Sequence, residues 1–425
     1  MKILQVASGD FFSTYGGGQV YVKNIADRMI DMGLDISIIS FVESDDVQEK
    51  IYRDYRIVST PSGISESGLE SIIRDINPDI IHVHSNKALI CRIGKRLGIP
   101  VVVTSHHGGI LCPAGALMDY SDRICLKKTG HKNCLPCVLR NIPTGLHLWY
   151  PFVRHIPAAK YISFGKRLES LPFIPFVTPV GQAALQIDRM ERYWHDIVED
   201  STLVIAPSQR IADTMIENGL DEAKVRILPH GIPLPSSRPL QPKMTDGKLK
   251  FFYVGRICYV KGLHVLLEAF STIKKIDIEL HLIGGYGNKG ERRYMHKLKK
   301  IYKHDHRIIW HGKIPSEEIF KTIQNFQVGI SVPVYMEIFG LNIAEALALG
   351  KPVLATRCGG AEMQIKEGVN GWLVPPNDPM ALAEKINAII KNPGVIENMS
   401  RNCEATSVEK HCDCLLEIYS NVVRL

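Results

Sequence analysis

Short apolar runs alternate with helix-like segments along most of this chain, and this alternation constrains the fold more than any other feature. Residues 35–40, 79–83 and 101–104 are apolar runs, and apolar residues at helical spacing follow in 69–76 and 88–97. Strands that alternate with helices in this way pair in parallel, and the helices cover both faces of the sheet. The sequence therefore predicts an α/β fold built on doubly wound parallel sheets.

The same alternation starts again after a proline-rich stretch, which indicates two domains. Residues 232–248 contain closely spaced prolines and no hydrophobic periodicity, as expected of a linker. A chain of 425 residues is also too long for a single core. We therefore predict a first domain over residues 1–231, with an insertion at about 110–186, and a second domain over 249–408.

Two glutamates frame the start of a helix in the second domain. Glu337 follows the apolar run 328–334, and Glu345 lies in an Ala/Leu-rich segment that Gly350 would end. Backbone N–H groups at the helix start favour an anionic or polyhydroxylated ligand. The residues that would offer them are Phe339, Gly340 and Leu341. A carboxylate can accept hydrogen bonds from two neighbouring sugar hydroxyls, although a solvated glutamate pair would show the same spacing.

Two cations follow the first strand of the second domain. Arg256 comes just after the apolar run 249–254, and Lys261 follows five residues later, where a helix begins. Together they present two positive charges to one spot, and Arg can bind a diphosphate through two hydrogen bonds. The alternative is a pair of solvated surface cations.

In the first domain, glycines and a histidine occupy strand ends. Gly17 and Gly18 lie between the first apolar run and a helical pattern, and His106 follows the run 101–104. Ligands of open parallel sheets bind beyond the carboxyl ends of the strands, and glycines let a phosphate approach the backbone. The glycines lack the spacing of a dinucleotide-binding fingerprint, so a structural turn and a core histidine are the alternatives.

Four cysteines are clustered within the predicted insertion. They are Cys112, Cys125, Cys134 and Cys137, and the last two form a C-x-x-C pair. This spacing lets two thiolates bind one tetrahedral metal, so a structural zinc is favoured and an iron–sulfur cluster is the runner-up. Reduced thiols or a disulfide are the remaining alternatives.

The sequence gives weaker indications about location. No uninterrupted apolar run of about 18 residues occurs, and the N-terminus lacks a signal-peptide pattern, so we expect a cytoplasmic protein. Residues 142–185 combine aromatic side chains, prolines and basic residues. They predict either an irregular insertion packed on the sheet or a surface that contacts acceptor or the inner face of a membrane. The net charge of +7 is mild and does not indicate nucleic acid.

The second-domain motifs resemble the signature of glycosyltransferase family 4. In that signature a glutamate, an aromatic–glycine pair and a second glutamate bind a nucleotide-sugar, which matches Glu337, Phe339, Gly340, Leu341 and Glu345; Gly255–Arg256 and Lys261–Gly262 also match the family. The resemblance implies a GT-B fold, in which two Rossmann-like domains face each other across a cleft. The first domain would be on the acceptor side, the second would bind the donor, and a C-terminal helix over 409–425 would cross back toward the first.

The resemblance also implies roles for individual residues. His106 would contact the donor hexose or the acceptor hydroxyl, and Arg256, Lys261 and Glu337 would complete the catalytic set. The donor-binding residues would be Gly17, Gly18, Lys313, Ile314, Ile338, Phe339, Gly340, Leu341 and Glu345, with the main chain at Lys313 and Ile314 facing the nucleobase.

The activity implied is that of a retaining glycosyltransferase. It would move a hexose from a nucleoside diphosphate sugar to a hydroxyl of a saccharide, lipid-linked or small-molecule acceptor, in glycan or glycolipid biosynthesis. No Asp-x-Asp stands in a plausible loop, so we expect no catalytic metal. The alternatives are a sugar-nucleotide epimerase, a sugar-phosphate synthase of the same fold, and a non-catalytic glycan-binding protein.

Overall fold

The computed structural model describes residues 1–7, 11, 17–140, 178–235, 247–315 and 318–424. The chain divides into two compact units. The first unit consists of Met1–Ser121, Cys125–Gly231 and Val408–Leu425, and the second of Asp122–Ile124 and Ile232–Ser407. Most of the proline- and aromatic-rich stretch 142–185 lies outside the described residues. No helix of the described residues is long and apolar enough to span a bilayer.

The described part of the first unit is built on an eight-stranded sheet. The strands are β1 (Lys2–Ala7), β2 (Asp35–Val42), β3 (Gln48–Tyr52), β4 (Tyr55–Pro61), β5 (Ile80–Val83), β6 (Val101–Thr104), β7 (Leu203–Ala206) and β8 (Val225–Ile227). Their order is β3-β4-β2-β1-β5-β6-β7-β8. All neighbours are parallel except β3, which pairs antiparallel with β4 at the edge.

Helices cover this sheet, as a parallel sheet requires. They are α1 (Gly17–Asp31), α2 (Glu66–Ile76), α3 (Lys87–Leu97), α4 (His131–Arg140), α5 (Thr178–Asp200) and α6 (Gln209–Glu217). Strands β1, β5, β6 and β7 are buried almost throughout, which explains why they appear in the sequence as continuous apolar runs.

The described part of the second unit has a six-stranded parallel sheet. Its strands are β9 (Leu249–Val254), β10 (Ile278–Ile283), β11 (Ile308–Gly312), β12 (Val328–Ser331), β13 (Val353–Thr356) and β14 (Gly371–Val374). Their order is β11-β10-β9-β12-β13-β14. The helices are α7 (Leu263–Thr272), α8 (Lys289–Ile301), α9 (Ile319–Ile323), α10 (Leu341–Ala348), α11 (Gly360–Gln364), α12 (Pro379–Lys391) and α13 (Val395–Arg401).

Two separate helices lie near the C-terminal end of the chain. Helix α13 ends at Arg401, and a separate helix, α14, runs over Val408–Val423. The backbone between them is bound elsewhere, since Ile232 donates its N–H to Thr406 at 3.0 Å and forms a bridge with Ser407. Helix α14 belongs to the first unit, where Leu415 and Tyr419 are buried in the core.

Candidate active site

The loop that carries Glu337 is held rigidly after β12. The Gly360 N–H donates to the Glu337 carbonyl at 2.8 Å, and Glu337 forms a parallel bridge with Gly359. A side chain at Gly360 would lie 2.1 Å from the Phe339 carbonyl oxygen, so only glycine permits this approach. The Thr356 hydroxyl also donates to the Pro333 carbonyl at 2.8 Å. The position of Glu337 is therefore fixed by two segments of backbone.

Glu337 forms an ion pair with Lys261. The carboxylate contacts the Lys261 ammonium through one oxygen and accepts the Tyr335 hydroxyl at 3.0 Å through the other. Burial alone would lower the pKa of Lys261, but the Glu337 carboxylate, together with Tyr335 and Tyr253, outweighs burial and holds that pKa well above its ordinary value. The ammonium also lies 5.4 Å from the centre of the Tyr335 ring. Lys261 is thus a charged group in a partly buried setting, with 24% of its side chain exposed.

A turn at Gly262 places Lys261 beside Glu337. Gly262 has a φ of +70°, and a Cβ there would lie 1.9 Å from the Val332 carbonyl oxygen, beyond the end of β12. The Val334 N–H donates to the Val260 carbonyl at 2.9 Å. The Lys–Gly pair of the sequence is therefore explained by a close crossing of two backbones.

Arg256 follows β9 and is the more exposed of the two cations. Its guanidinium lies 3.6 Å from the Glu291 carboxylate, and 58% of its side chain is exposed. Its carbonyl accepts the Tyr253 hydroxyl at 2.9 Å, which fixes the backbone. Glu291 in turn accepts the Gly287 N–H at 2.7 Å. The exposed guanidinium retains hydrogen-bond donors that a diphosphate can use.

Glu345 lies in the second turn of α10. Its side chain is half-buried, and burial raises the pKa of its carboxyl to about 7. Within the described residues, no hydrogen bond or ion pair involves its carboxylate. A carboxylate that is partly desolvated and has no partner is suited to accept hydroxyl groups of a ligand.

At the start of α10 a ligand would meet backbone groups, because the apolar side chains there are buried. Ile338 and Phe339 are 3% and 4% exposed, so their side chains belong to the core. Gly340 precedes the helix with a φ of +86°, and Leu341 is the first helical residue. These four positions therefore present backbone groups beside a helix N-terminus.

Lys313 and Ile314 follow β11 on the same edge of the sheet. Lys313 is exposed and Ile314 is half-buried. A Cβ at Gly285, which comes after β10, would lie 3.2 Å from the Lys313 Cβ. The two residues are thus placed next to the loop that follows β10.

In the first unit, Gly18 lies against His106. Gly17 and Gly18 open α1, and a Cβ at Gly18 would meet the His106 ring at 3.3 Å. The His106 Nε2 lies 2.9 Å from the His84 Nδ1. His106 is half-buried, and burial holds its pKa well below the usual value. Gly18 therefore lets the start of α1 pack directly against the His106 ring.

The four cysteines of the predicted metal site are free thiols. Burial raises the pKa of Cys134 to about 12 and of Cys137 to about 11, with smaller contributions from the neighbouring thiols. Throughout the described ranges, no group of three or more His, Cys, Asp or Glu side chains is arranged to hold a metal ion. The metal site predicted on Cys112, Cys125, Cys134 and Cys137 therefore stays a prediction.

Sequence reasoning missed three side chains that support the site. Tyr335 hydrogen-bonds Glu337, Glu291 pairs with Arg256, and Tyr253 holds the Arg256 carbonyl. Tyr335 lies two residues before Glu337, and Tyr253 lies three residues before Arg256. Their closeness to the motifs in sequence could have indicated that they support the site. Glu291 is 35 positions from Arg256 and lies in a basic helix, and the sequence does not indicate its pairing.

Family models match both parts of the chain. Residues 240–406 match the model described as glycosyl transferases group 1, and residues 15–132 match the model of glycosyltransferase family 4. The D-inositol 3-phosphate glycosyltransferase of Corynebacterium urealyticum is 27% identical over 242 residues, which cover 52% of this chain and 56% of that protein. The chain thus spans little more than half the length of that curated relative.

Two solved structures share the fold over nearly the whole chain. Anabaena Alr3699/HepE in complex with UDP-glucose has a TM-score of 0.64 and 16% identity, over 98% of this chain and 99% of that one. The sucrose-phosphate synthase of Thermosynechococcus elongatus has a TM-score of 0.70 and 18% identity, over 100% of both chains. These likenesses confirm the predicted class of two Rossmann-like α/β domains.

Proposed function

The chain belongs to glycosyltransferase family 4 and has the two Rossmann-like domains of the GT-B fold, and from this premise we propose that it is a retaining hexosyltransferase. It would move a hexose from a nucleoside diphosphate sugar to a hydroxyl of an acceptor, in the synthesis of a glycan or glycolipid. A UDP-sugar is the first donor to test, because the Anabaena neighbour is described in complex with UDP-glucose.

The observation that carries this proposal is the partly buried Lys261–Glu337 pair. A partly desolvated ammonium is unfavourable without a counterion, and the Glu337 carboxylate supplies that counterion. Arg256 stands five residues before Lys261, at the end of β9. The two cations are suited to hold a diphosphate and to stabilise the negative charge that grows on it as it leaves. This role requires no metal.

Glu337 can serve the sugar as well as the lysine. Each carboxylate oxygen has a second lone pair after its contact with Lys261 or Tyr335. Those lone pairs can accept hydrogen bonds from hexose hydroxyls. The Glu345 carboxylate, in the second turn of α10, can accept hydrogen bonds from ribose hydroxyls. The backbone N–H groups at Gly340 and Leu341 add donors at the positive end of α10.

We propose the following chemical step for this site. The bond between the hexose anomeric carbon and the diphosphate oxygen breaks, and its electron pair leaves with the diphosphate. The acceptor oxygen bonds to the same face of the sugar, and its proton passes to an oxygen of the departing phosphate. We assign His106 to orient a hydroxyl of the hexose or of the acceptor.

The proposal is tested by incubating the protein with a panel of nucleotide-sugars and candidate acceptors, then identifying the products. Saccharide, lipid-linked and small-molecule acceptors should each be offered. We expect a nucleoside diphosphate and a new glycosidic bond with the anomeric configuration of the donor. The matched variant is Lys261→Met, which should form product far more slowly.

Other outcomes would select another activity. An altered sugar on an intact nucleotide would indicate an epimerase, and transfer to a sugar phosphate would indicate a synthase. Donor that is neither hydrolysed nor transferred with any acceptor, together with wild-type ligand binding by the Lys261→Met variant, would contradict the proposal and favour a non-catalytic glycan-binding protein.

A further inference from the structure

The positive charge of this chain is concentrated in one short segment of the second unit. Residues 289–307 contain eight Lys or Arg residues and two acidic residues, which is an excess of six positive charges. The net charge of all 425 residues is only +7. The rest of the chain is therefore close to neutral, and the basic character of the protein belongs to this segment.

Helix α8 carries much of this charge on one face. Its buried residues are Met295 and Leu298. The opposite side of the helix carries exposed cations that recur every three or four residues and therefore share one face. They are Lys289, Arg293, Lys297 and Lys300.

The two acidic residues of the segment do not neutralise this face. Glu291 has 14% of its side chain exposed and pairs with Arg256. Asp305 accepts from the Arg307 Nε at 2.8 Å and from the Arg307 Nη2 at 2.6 Å. Among the residues that the structure describes, the remaining cations of the segment have no carboxylate partner. They are Lys289, Arg292, Arg293, Lys297, Lys299, Lys300 and Lys303.

Such a charge distribution is unfavourable for the helix itself. Like charges four residues apart repel each other, as Lys289 and Arg293 do, and as Arg293 and Lys297 do. Cations in the first turn also oppose the positive end of the helix dipole. A helix face that only meets water gains stability from acidic residues at these positions, and this face has none. Its charge is instead complementary to a negatively charged partner.

Two exposed isoleucines border the cations. Ile301, the last residue of α8, is 56% exposed, and Ile276, in the turn before β10, is 76% exposed. The Arg307 Nη1 donates to the carbonyl of Ile273 at 2.5 Å and to that of Lys275 at 2.9 Å. The turn of Ile276 is therefore held beside the segment that follows α8.

The presence of apolar side chains beside the cations distinguishes between anionic partners. A nucleic acid offers phosphates to the cations but no apolar region to the isoleucines. An anionic bilayer offers both, because its headgroups are negatively charged and its acyl chains begin just below them. Clusters of about four to eight cations on an amphipathic helix are typical of contacts with anionic lipid.

We propose that the exposed face of α8, together with Ile276 and Ile301, is a surface that docks the protein on an anionic lipid bilayer. The cations of α8 contact the headgroups, and the two isoleucines enter the boundary between headgroups and acyl chains. The same helix carries Glu291, whose carboxylate pairs with Arg256. One helix therefore joins this surface to a cation assigned to the diphosphate.

The direct test is co-sedimentation of the full-length protein with phospholipid vesicles, without donor or acceptor. Vesicles of equal parts phosphatidylcholine and phosphatidylglycerol provide the anionic surface, and pure phosphatidylcholine provides the neutral one. We expect binding to the mixed vesicles that weakens as salt is added, because ions screen the attraction, and far weaker binding to the neutral vesicles. Equal binding to both kinds of vesicle, or binding to neither, would overturn the proposal.

A triple variant tests the assigned face. Arg293→Gln/Lys297→Gln/Lys300→Gln removes three cations, each of which typically contributes about fivefold to affinity near an anionic surface, so binding to the mixed vesicles should weaken by roughly 100-fold. The midpoint of urea unfolding should not fall, because the substitutions relieve repulsion between neighbouring cations. Wild-type binding by this variant would overturn the assignment of the face.

The matched control removes the same charge from the other side of the sheet. Lys366→Gln/Lys391→Gln/Arg401→Gln replaces three exposed cations in segments that follow β13 and β14, and β14 is the edge strand opposite β11. This variant should bind the mixed vesicles as the wild type does. An equal loss of binding in both triple variants would indicate a general effect of net charge and would also overturn the assignment.

A double variant separates a bilayer from a polyanion. Ile276→Ser/Ile301→Ser leaves every charge in place and should weaken binding to the mixed vesicles by roughly tenfold, because two apolar side chains no longer leave water. Full affinity of this variant would contradict the insertion. Displacement of the wild type from the vesicles by a DNA duplex at equal phosphate concentration would overturn the choice of lipid and select a nucleic acid.

These outcomes are distinct from those of the transfer assay, because vesicle binding is measured without substrates. A protein that docks through α8 and transfers no sugar would contradict the proposed function alone. An active transferase that does not bind the mixed vesicles would contradict the docking surface alone.

Discussion

Replacement of Lys261 by methionine removes the positive charge and keeps an unbranched side chain of similar length. Two effects should follow. Loss of a preorganised charge at the leaving group typically lowers kcat by about 10²- to 10³-fold, or about 3 to 4 kcal/mol. Glu337, whose side chain is 13% exposed, is also left without its cation, which lowers the free energy of unfolding by at most about 3 to 5 kcal/mol, the range for a fully buried pair.

The double variant Lys261→Met/Glu337→Gln separates these effects. It removes both charges, so most of the lost stability should return, because no unpaired charge remains. The kcat should stay low, since the cation is still missing. Lys351→Met is the matched control, because Lys351 is 0% exposed in the same unit and donates to the Gln324 carbonyl at 2.7 Å. It should leave kcat unchanged.

The assay combines urea unfolding with product formation at saturating donor and acceptor. Unfolding curves confirm that each variant is folded under the assay conditions, and kcat is then compared at a common temperature. A kcat for Lys261→Met within about threefold of the wild-type value would refute the assignment of this charge to the leaving group. A double variant with restored kcat would refute it equally.

Three further substitutions test neighbouring parts of the site. Glu345→Gln should weaken donor binding by roughly tenfold, measured by titration calorimetry, because a neutral amide oxygen is a poorer acceptor than a carboxylate. The folded-state pKa of Glu345, about 7, lies above the ordinary value of 4.5, so the protonated carboxyl stabilises the folded state at low pH. This contribution to the free energy of unfolding is fully present below pH 4.5 and is lost as the pH rises through 7. Urea unfolding at pH 5 and 8 should show the loss in the wild type and not in Glu345→Gln. Tyr335→Phe should lower the free energy of unfolding by about 1 to 2 kcal/mol, since it removes a hydrogen bond to a carboxylate, and an unchanged unfolding midpoint would contradict it. Gly262→Ala should destabilise the protein by more than about 2 kcal/mol, because its Cβ would clash with the Val332 carbonyl; Gly33→Ala, at a similar φ of +76° with nothing within 4 Å, is the control and should cost about 1 kcal/mol.

Much of the fold was predictable because buried parallel strands are apolar on both faces. The runs at 101–104 and 249–254 are strands with these bounds. By contrast, the edge strand β3 carries the sequence QEKIY and is mostly exposed. Its pairing with β4 depends on backbone hydrogen bonds and on Arg56, whose guanidinium binds Glu49, and neither leaves a hydrophobic pattern.

The candidate site was predictable where motif spacing fixes backbone geometry. Lys261–Gly262 and the loop of Glu337 are tied together by glycines that permit backbone crossings, so residues 76 positions apart form an ion pair. The hydrogen bonds behind His106 were not predictable in this way. Gln5 hydrogen-bonds Tyr419, which is 414 positions away, and the partners of a buried polar side chain depend on tertiary packing that local sequence patterns do not encode.

The claim at the centre of this account is that Arg256 and Lys261 bind the diphosphate of an activated sugar. Titration calorimetry of the wild type and of Arg256→Gln, with nucleoside diphosphates and the matching monophosphates, tests it most directly. We predict that the wild type binds one diphosphate at least roughly tenfold more tightly than its monophosphate, and that Arg256→Gln loses most of this preference. Equal affinity for both nucleotides in the wild type, or an undiminished preference in the variant, would contradict the account.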